Sequence, residues 1–465
     1  MITHTTLRPF VTLFSVLLSF ALCPFLFSQD AQQETEIRVH LATNTPLSPV
    51  YVGKIDGQKS TLSPSYLTQL EAVLEFDLNY NGYSKVLPKN SAKEQLIQQK
   101  ETTAAFSPEK WKQQGVLHAI KSMVVDKQLS VHLFSTQTGA LKHFSNIPLS
   151  GDLAEDRRQI HKLSDGIQKA LFDTEGIATS RILFSMQVAS QKKEGGSWVS
   201  EIWECDFDGA NARQITREES YSVTPVFIPA TAKHASDRFI YVSYKLGQPK
   251  IYIASLKEGS GKRLIDLRGN QLLPAISHQK DKIAFICDAG GRTDLFIQPL
   301  DPQTGESGKP VQLFSYPRST QASPTFSPDG SKIAFVSDKD GTPRIYIISA
   351  TPTAKRQNPI LISKQNRESS CPSWSPDGTK LAYSAKTNGI RQIWIYDFAT
   401  REERQLTAGP GFKENPSWAK DSMHIVFNST DANSSELYLV NLNQPEAIKI
   451  SKGPGKKHYP SWGNR

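Results

Sequence analysis

The fold class predicted by the sequence is mostly β, a six-bladed β-propeller preceded by a small α/β domain, and three observations predict it. First, a motif of the form x-Pro-x-aromatic-Ser-x-Asp-Gly recurs, in more and less complete copies, through the C-terminal part of the chain. Its anchors are Pro225, Pro274, Pro324, Pro372, Pro416 and Pro460, with gaps of 49, 50, 48, 44 and 44 residues. A period near 45 residues with four short strands per unit is the mark of propeller blades. Second, each unit carries the same β-branched and aromatic runs bounded by turn formers. Third, the two ends of the repeat array are out of phase in the way ring closure requires.

The elements follow in order. Arg8 flanks an apolar run from Pro9 to Phe27, and polar Ser28-Gln29-Asp30 comes directly after it. Residues 1–28 therefore read as a secretory signal that is removed. A run of this length also suits a membrane anchor. Cys23 does not read as a lipidation site, because Leu22 stands where a small residue is wanted and Pro24 follows.

Residues 29–174 lack the repeat and read as the α/β domain. Glu36 to Leu41 alternates as a strand, and Leu67, Leu70, Val73, Leu74 and Leu78 share one face of a helix over Tyr66 to Tyr80. Asn81-Gly82 ends that helix. A short helix is expected around Trp111, then strands at Val116 to Val125, Leu129 to Ser135 and His143 to Leu149. Ile160, Leu163, Ile167 and Leu171 mark a final amphipathic helix, and the linker falls near Thr174-Glu175-Gly176. Strands mixed with helices in this order suggest a helix-covered sheet.

Residues 179–465 form the propeller. Second strands are expected at Arg181–Phe184, Phe239–Val242, Lys282–Phe285, Lys332–Val336, Lys380–Tyr383 and His424–Phe427. Third strands are expected at Glu201–Trp203, Lys250–Ile253, Asp294–Ile297, Arg344–Ile348, Gln392–Ile395 and Glu436–Leu439. Ser327-Pro328-Asp329-Gly330 and Ser375-Pro376-Asp377-Gly378 are complete turns between first and second strands. Ser277 to Lys280 and Ala419 to Ser422 are degenerate versions. Insertions fall at Gln191 to Trp198 and Phe227 to Ser236. Blade one enters without a first strand, and the chain ends on a spare one, Tyr459-Pro460-Ser461-Trp462, which is expected to complete it.

Composition narrows the function. The formal charge is +9, but the chain lacks basic blocks interleaved with aromatics, so it reads as a basic soluble surface with no nucleic-acid partner. Removal of the leader leaves Cys205, Cys287 and Cys371, an odd number in three different blades, which argues against a disulfide framework. The ten histidines form no His-x-His or His-Glu-x-x-His pattern, and there is no Cys-x-x-Cys or Gly-x-Ser-x-Gly. Asp338-x-Asp340-Gly341 reads as a plain turn, since the other oxygen ligands of a calcium loop are missing. No catalytic, cofactor or metal residues are assigned, and the function expected is binding.

An export signal, a small α/β domain and Ser-Pro-Asp-Gly propeller repeats together resemble the TolB family. The likeness extends to Leu74–Leu87, Trp111–Val116 and Ala178–Ile182. The resemblance implies a non-enzymatic periplasmic adaptor of the Tol–Pal cell-envelope system, supporting outer-membrane integrity and cell division. It implies two partners, a Pal-type peptidoglycan-associated lipoprotein and a TolA-type inner-membrane protein, with membranes reached only through them. A monomer is expected. The rival expectations are a secreted propeller hydrolase and a small-ligand-binding propeller.

In a propeller the loops entering the first strands sit at the mouth of the channel. Here they run over Glu218–Val223, Gly269–Leu273, Pro317–Ser323, Arg367–Cys371, Phe412–Asn415 and Lys456–Tyr459. Aromatic and arginine side chains favoured as interface anchors lie in them. The candidate rim residues are Tyr221, Gln271, Arg318, Ser319, Thr320, Arg367, Glu368, Phe412, Lys413, His458 and Tyr459. The family resemblance adds Glu34, Glu36 and Ile37 of the N-terminal segment as contacts for the TolA-type partner.

Overall fold

Six four-stranded antiparallel sheets stand around one axis, each with its first strand innermost. The computed structural model describes residues 37–40, 43, 45–100, 105–189, 198–228, 238–301, 308–444 and 446–463. Residues 1–28, expected to be a leader, Glu34, Glu36 and most of both predicted insertions lie outside them. Among the described residues, no helix is long and apolar enough to cross a membrane.

Blades 2 to 6 have inner strands Ser222–Phe227, Gln271–Ile276, Gln321–Phe326, Ser369–Trp374 and Phe412–Trp418. Blade 1 borrows its inner strand from the end of the chain. Lys456–Gly463 pairs antiparallel with Arg181–Ala189, with Trp462 opposite Ile182. Trp462 also donates its indole N–H to Ser180 Oγ at 2.7 Å, tying the last strand to the entry of the first blade. Second and third strands are buried on both faces, so Ile283, Phe285, Ile333 and Phe335 form continuous apolar layers between neighbouring blades.

The repeated proline has a structural reason. In every inner strand the residue before it is left-handed: Thr224, Leu273, Ser323, Cys371, Asn415 and Tyr459 have φ of 49°, 49°, 45°, 52°, 55° and 53°. The ladder register shifts across each of these x-Pro pairs. This is a β-bulge repeated six times, and proline suits it because the bulge leaves that backbone nitrogen out of the ladder. Left-handed non-glycine residues cost on the order of 1 kcal/mol or more each, which the surrounding strands must offset.

The Ser-Pro-Asp-Gly turns are wired internally. Ser327 Oγ donates to Asp329 Oδ1 at 2.5 Å and accepts the Lys332 N–H at 3.0 Å, while Gly330 takes φ 68°. Hydrogen bonds from Ser327 and Ser331 hold the Asp329 pKa down to about 2. In the two degenerate turns Lys280 and Ser422 occupy the glycine position at φ 63° and 56°.

The α/β domain is built on helices α1 (Pro64–Asn79), α2 (Ser91–Ile97), α3 (Pro108–Gln113) and α4 (Leu153–Phe172). Pro64 at the start and the Ser63 hydroxyl accepting from Tyr66 N begin α1. Asp152 caps α4 in the same way. The sheet order is Ser84–Val86, Ser48–Val52, His118–Asp126, Gln128–Ser135, Leu141–Pro148, with Asp56–Ser60 also on His118–Asp126. Helices α1 and α4 cover one face over a core of Leu70, Val73, Ile120, Val131, Ile160 and Ile167.

One expectation is corrected. Of the strand expected over Glu36 to Leu41, the described residues form Arg38–Val39, which does not join the α/β sheet. It pairs instead with Thr407–Ala408 in the propeller. Ile37 and Val39 are buried in the crease between blades 5 and 6, beside Ile393, Leu406 and Phe427. Their alternation encodes burial against a different partner from the one nearest in sequence.

Candidate functional site

Strand direction separates the propeller into two ends. Inner strands begin at one end and finish at the other, where the turns to second strands and from third to fourth strands also lie. The α/β domain contacts that second end: His424 Nε2 meets the Tyr80 carbonyl at 2.9 Å, Asn443 donates to Gly82 O at 2.7 Å and Gln444 to Asn79 O at 2.6 Å. Arg157 of α4 pairs with Asp208 of blade 1 there. The loops entering the inner strands are at the opposite end, away from these contacts. Along the axis runs a cavity of about 630 Å³, lined by the x-Pro pairs of all six inner strands and by Trp374, Trp418 and Trp462.

The rim residues divide into two groups. Tyr221 (37% exposed) and Phe412 (44% exposed) present aromatic rings, and Arg318, Thr320 and Arg367 are exposed with them. Tyr221 stands edge-on to Tyr244, their ring centroids 5.7 Å apart. Arg318 is itself left-handed, φ 56°, and the Thr320 N–H is held by Asp338 Oδ1 at 2.6 Å. Glu368 is half-buried and pairs with Lys386 at 3.2 Å. His458 is half-buried, its pKa lowered by burial and by Lys456, and Ser435 lies 3.2 Å from its Nδ1. Tyr459 lines the cavity, and burial pushes its phenol up to about 12.

Gln271, Ser319 and Lys413 are placed differently: all three side chains are buried. Gln271 pegs its own loop, donating to Leu267 O at 2.7 Å and accepting from Ile251 N at 3.2 Å. Ser319 donates to Tyr316 O at 3.2 Å. Lys413 folds back over its loop, and its ammonium bonds to the carbonyls of Gly409 at 2.5 Å, Gly411 at 3.0 Å and Pro410. Burial holds its pKa down to about 8. Lys457 does the same with Gly453 O at 2.6 Å. The sequence carries a signal for this device: Gly409-Pro410-Gly411-Phe412-Lys413 and Gly453-Pro454-Gly455-Lys456-Lys457 share a Gly-Pro-Gly-x-Lys pattern. A lysine two residues after such a turn neutralises its converging carbonyls.

Cys205, Cys287 and Cys371 are free thiols in three blades. Asp77, His161 and Asp208 come close enough together to suggest a metal group. Arg157 and the Ala210 N–H engage Asp208, and His161 engages Asp77 Oδ2, so the cluster is tied into an ion-pair network in which Asp77 Oδ1 and His161 Nε2 lack hydrogen-bond partners among the described residues.

This geometry defines a class, the two-domain propeller scaffold, with one end contacted by an α/β domain and the other open around a central cavity. The family model described as the TolB beta propeller domain matches residues 169–465. The chain belongs to the TolB family. It is 48% identical over 405 residues to a Protein TolB homolog of Protochlamydia amoebophila, covering 86% of each chain. It is 37% identical over 391 residues to one of Chlamydia felis, covering 84% of each. The crystal structure of TolB from Acinetobacter baumannii superposes with a TM-score of 0.70 at 20% identity, over 92% of this chain and 100% of that one, a likeness of fold.

Proposed function

We propose that the protein is a non-enzymatic periplasmic adaptor of the Tol–Pal system that receives a Pal-type lipoprotein on the open end of its propeller. The observation that carries this reading is the exposure of Tyr221, Arg318, Thr320, Arg367 and Phe412 together at the end away from the α/β contacts. Aromatic and arginine anchors on loops held by a rigid scaffold are the composition of a protein-binding surface. His458, Tyr459 and Glu368 would form its inner edge. Gln271, Ser319 and Lys413 would shape the loops and not touch the partner. Membership of the TolB family supports the Tol–Pal assignment and, with it, a role in outer-membrane integrity and division.

The N-terminal segment, including Glu34, Glu36 and Ile37, is the proposed contact for a TolA-type partner. Ile37 is buried between blades 5 and 6, so that contact would require the segment to leave its crease. Calorimetric titration with the periplasmic domain of a Pal-type lipoprotein tests the main reading. One-to-one binding weakened at least ~10-fold by Arg318→Ala with Arg367→Ala is expected, as for exposed interface anchors. Absence of binding by two folded proteins would refute it.

A further inference from the structure

Two buried histidines sit in the seam between the α/β domain and the propeller. His424 of blade 6 is fully buried. Its Nδ1 lies 2.6 Å from Asp421 Oδ2 and its Nε2 lies 2.9 Å from the Tyr80 carbonyl, just past the end of α1. A carbonyl and a carboxylate only accept hydrogen bonds, so both ring nitrogens face acceptors. The ring thus bridges Asp421 and the Tyr80 carbonyl and ties blade 6 to the end of α1.

His161 of α4 is 2% exposed and repeats the arrangement with the domains exchanged. Its Nδ1 bonds Asp77 Oδ2 of α1 at 2.8 Å. Its Nε2 has no hydrogen-bond partner among the described residues and faces Asp206 Oδ2 at 3.9 Å and Asp208 Oδ2 at 4.0 Å, both from blade 1. Arg157 pairs with Asp208, and Arg181 with Asp206 at 2.5 Å. Burial pushes the neighbouring Cys205 thiol well up, so it brings no charge. Three carboxyl groups thus stand against two guanidiniums, and burial raises the Asp77 pKa, so the Asp77–His161 pair keeps one proton that offsets the third negative charge.

We propose that this seam is a proton-linked latch: docking of the α/β domain on blades 1 and 6 binds a proton at His161, among the carboxyl groups of Asp77, Asp206 and Asp208, and losing it loosens the dock. Burial alone would lower the His161 pKa, but Asp77, Asp208 and Asp206 outweigh it and raise the value. Burial would raise Asp421, and His424 with the Met423 and His424 N–H groups outweighs it, so the Asp421 value is lowered. A histidine whose docked pKa is raised stabilises the dock fully below its ordinary value near ~6.5 and loses that contribution as pH rises through the docked value.

Amide hydrogen exchange of the full chain lacking only its leader, at pH 6 and pH 9 with rates corrected for intrinsic chemistry, tests this. Residues 79–83, α4, 206–211 and 441–444 are expected to exchange at least ~10-fold faster at pH 9 while blades 3 and 4 do not change. His161→Gln should reduce that pH dependence, because glutamine keeps a donor and does not titrate. Equal seam exchange at both pH values, a uniform change across all blades, or an undiminished pH ratio in His161→Gln would overturn the proposal. Should the variant not fold, the wild-type contrast between the seam and blades 3 and 4 still decides. One equivalent of tightly held divalent metal in the purified protein would also overturn it, because a metal would need the His161 Nε2 lone pair.

Discussion

Removing one side chain, Trp462→Ala, tests whether the last strand holds the ring shut. Trp462 is 8% exposed and packs among Ile177, Ile182, Phe184, Ala419 and Val426 at the junction of blades 6 and 1. Its backbone N–H donates to Ser417 Oγ at 2.9 Å and would survive the substitution. The ring and its indole hydrogen bond to Ser180 would not. Truncating a buried tryptophan costs about 3–5 kcal/mol through lost transfer energy and the cavity left behind. The lost hydrogen bond lies within that range, because Ser180 Oγ still donates to Ile177 O at 2.5 Å. Against a total stability of roughly 5–15 kcal/mol this is a large fraction. At under about 2 °C per kcal/mol for a fold larger than 250 residues, the melting temperature should fall by roughly 5–8 °C. Urea unfolding followed by circular dichroism, together with calorimetry, measures both. Trp198→Ala is the control, since Trp198 is 56% exposed and its loss should cost no more than about 0.5 kcal/mol. A Trp462→Ala loss under about 1 kcal/mol would refute the closure argument, because such a site would carry little of the strain of six bulged inner strands.

Other expectations follow from the same physics. Lys280→Gly should raise stability by roughly 1 kcal/mol in urea unfolding, because Lys280 holds φ 63° where a complete turn has glycine. Lys413→Met keeps the aliphatic stem but leaves the carbonyls of Gly409, Pro410 and Gly411 without their donor, so stability should fall by about 1–3 kcal/mol. Because burial lowers the Lys413 pKa to about 8, the unfolded chain binds more protons between there and its ordinary value. Wild-type stability should therefore rise relative to Lys413→Met as pH rises across that window in parallel urea titrations, so the variant's deficit should widen, and a narrowing deficit would contradict the assignment.

Much of the fold was legible because its repeats are physically necessary. Pro324, the Ser327–Gly330 turn and the Lys332–Ser337 strand each answer a local backbone demand, and the same demand recurs in every blade. The spare Tyr459–Trp462 strand was readable for the same reason, since an open array leaves two unpaired edges. In the α/β domain the long periodic helices α1 and α4 stood out. Ser48–Val52 and Asp56–Ser60 did not, being short, with Pro49 and Gly57 inside them, and α2 spans only seven residues. The Arg38–Val39 strand was legible as a strand but not as a propeller strand, because alternation reports burial and not the identity of the partner. Loop position was enough to select Tyr221, Arg318 and Phe412. It could not show that Lys413 and Gln271 turn inward, since that depends on which carbonyls converge in three dimensions. The seam histidines were hidden for a related reason: His161 and Asp206 are far apart in sequence and meet only once both domains are in place.

Cross-linking from chosen positions tests the central claim, that the open end of the propeller receives the partner. A photo-reactive phenylalanine analogue placed at Phe412, at Tyr221 and at His278, an exposed residue just past the inner strand of blade 3, would be irradiated with a Pal-type periplasmic domain. Covalent one-to-one adducts are expected from Phe412 and Tyr221 and none from His278. Adducts from His278 alone, with Phe412 and Tyr221 silent, would contradict it and move the partner to the opposite end.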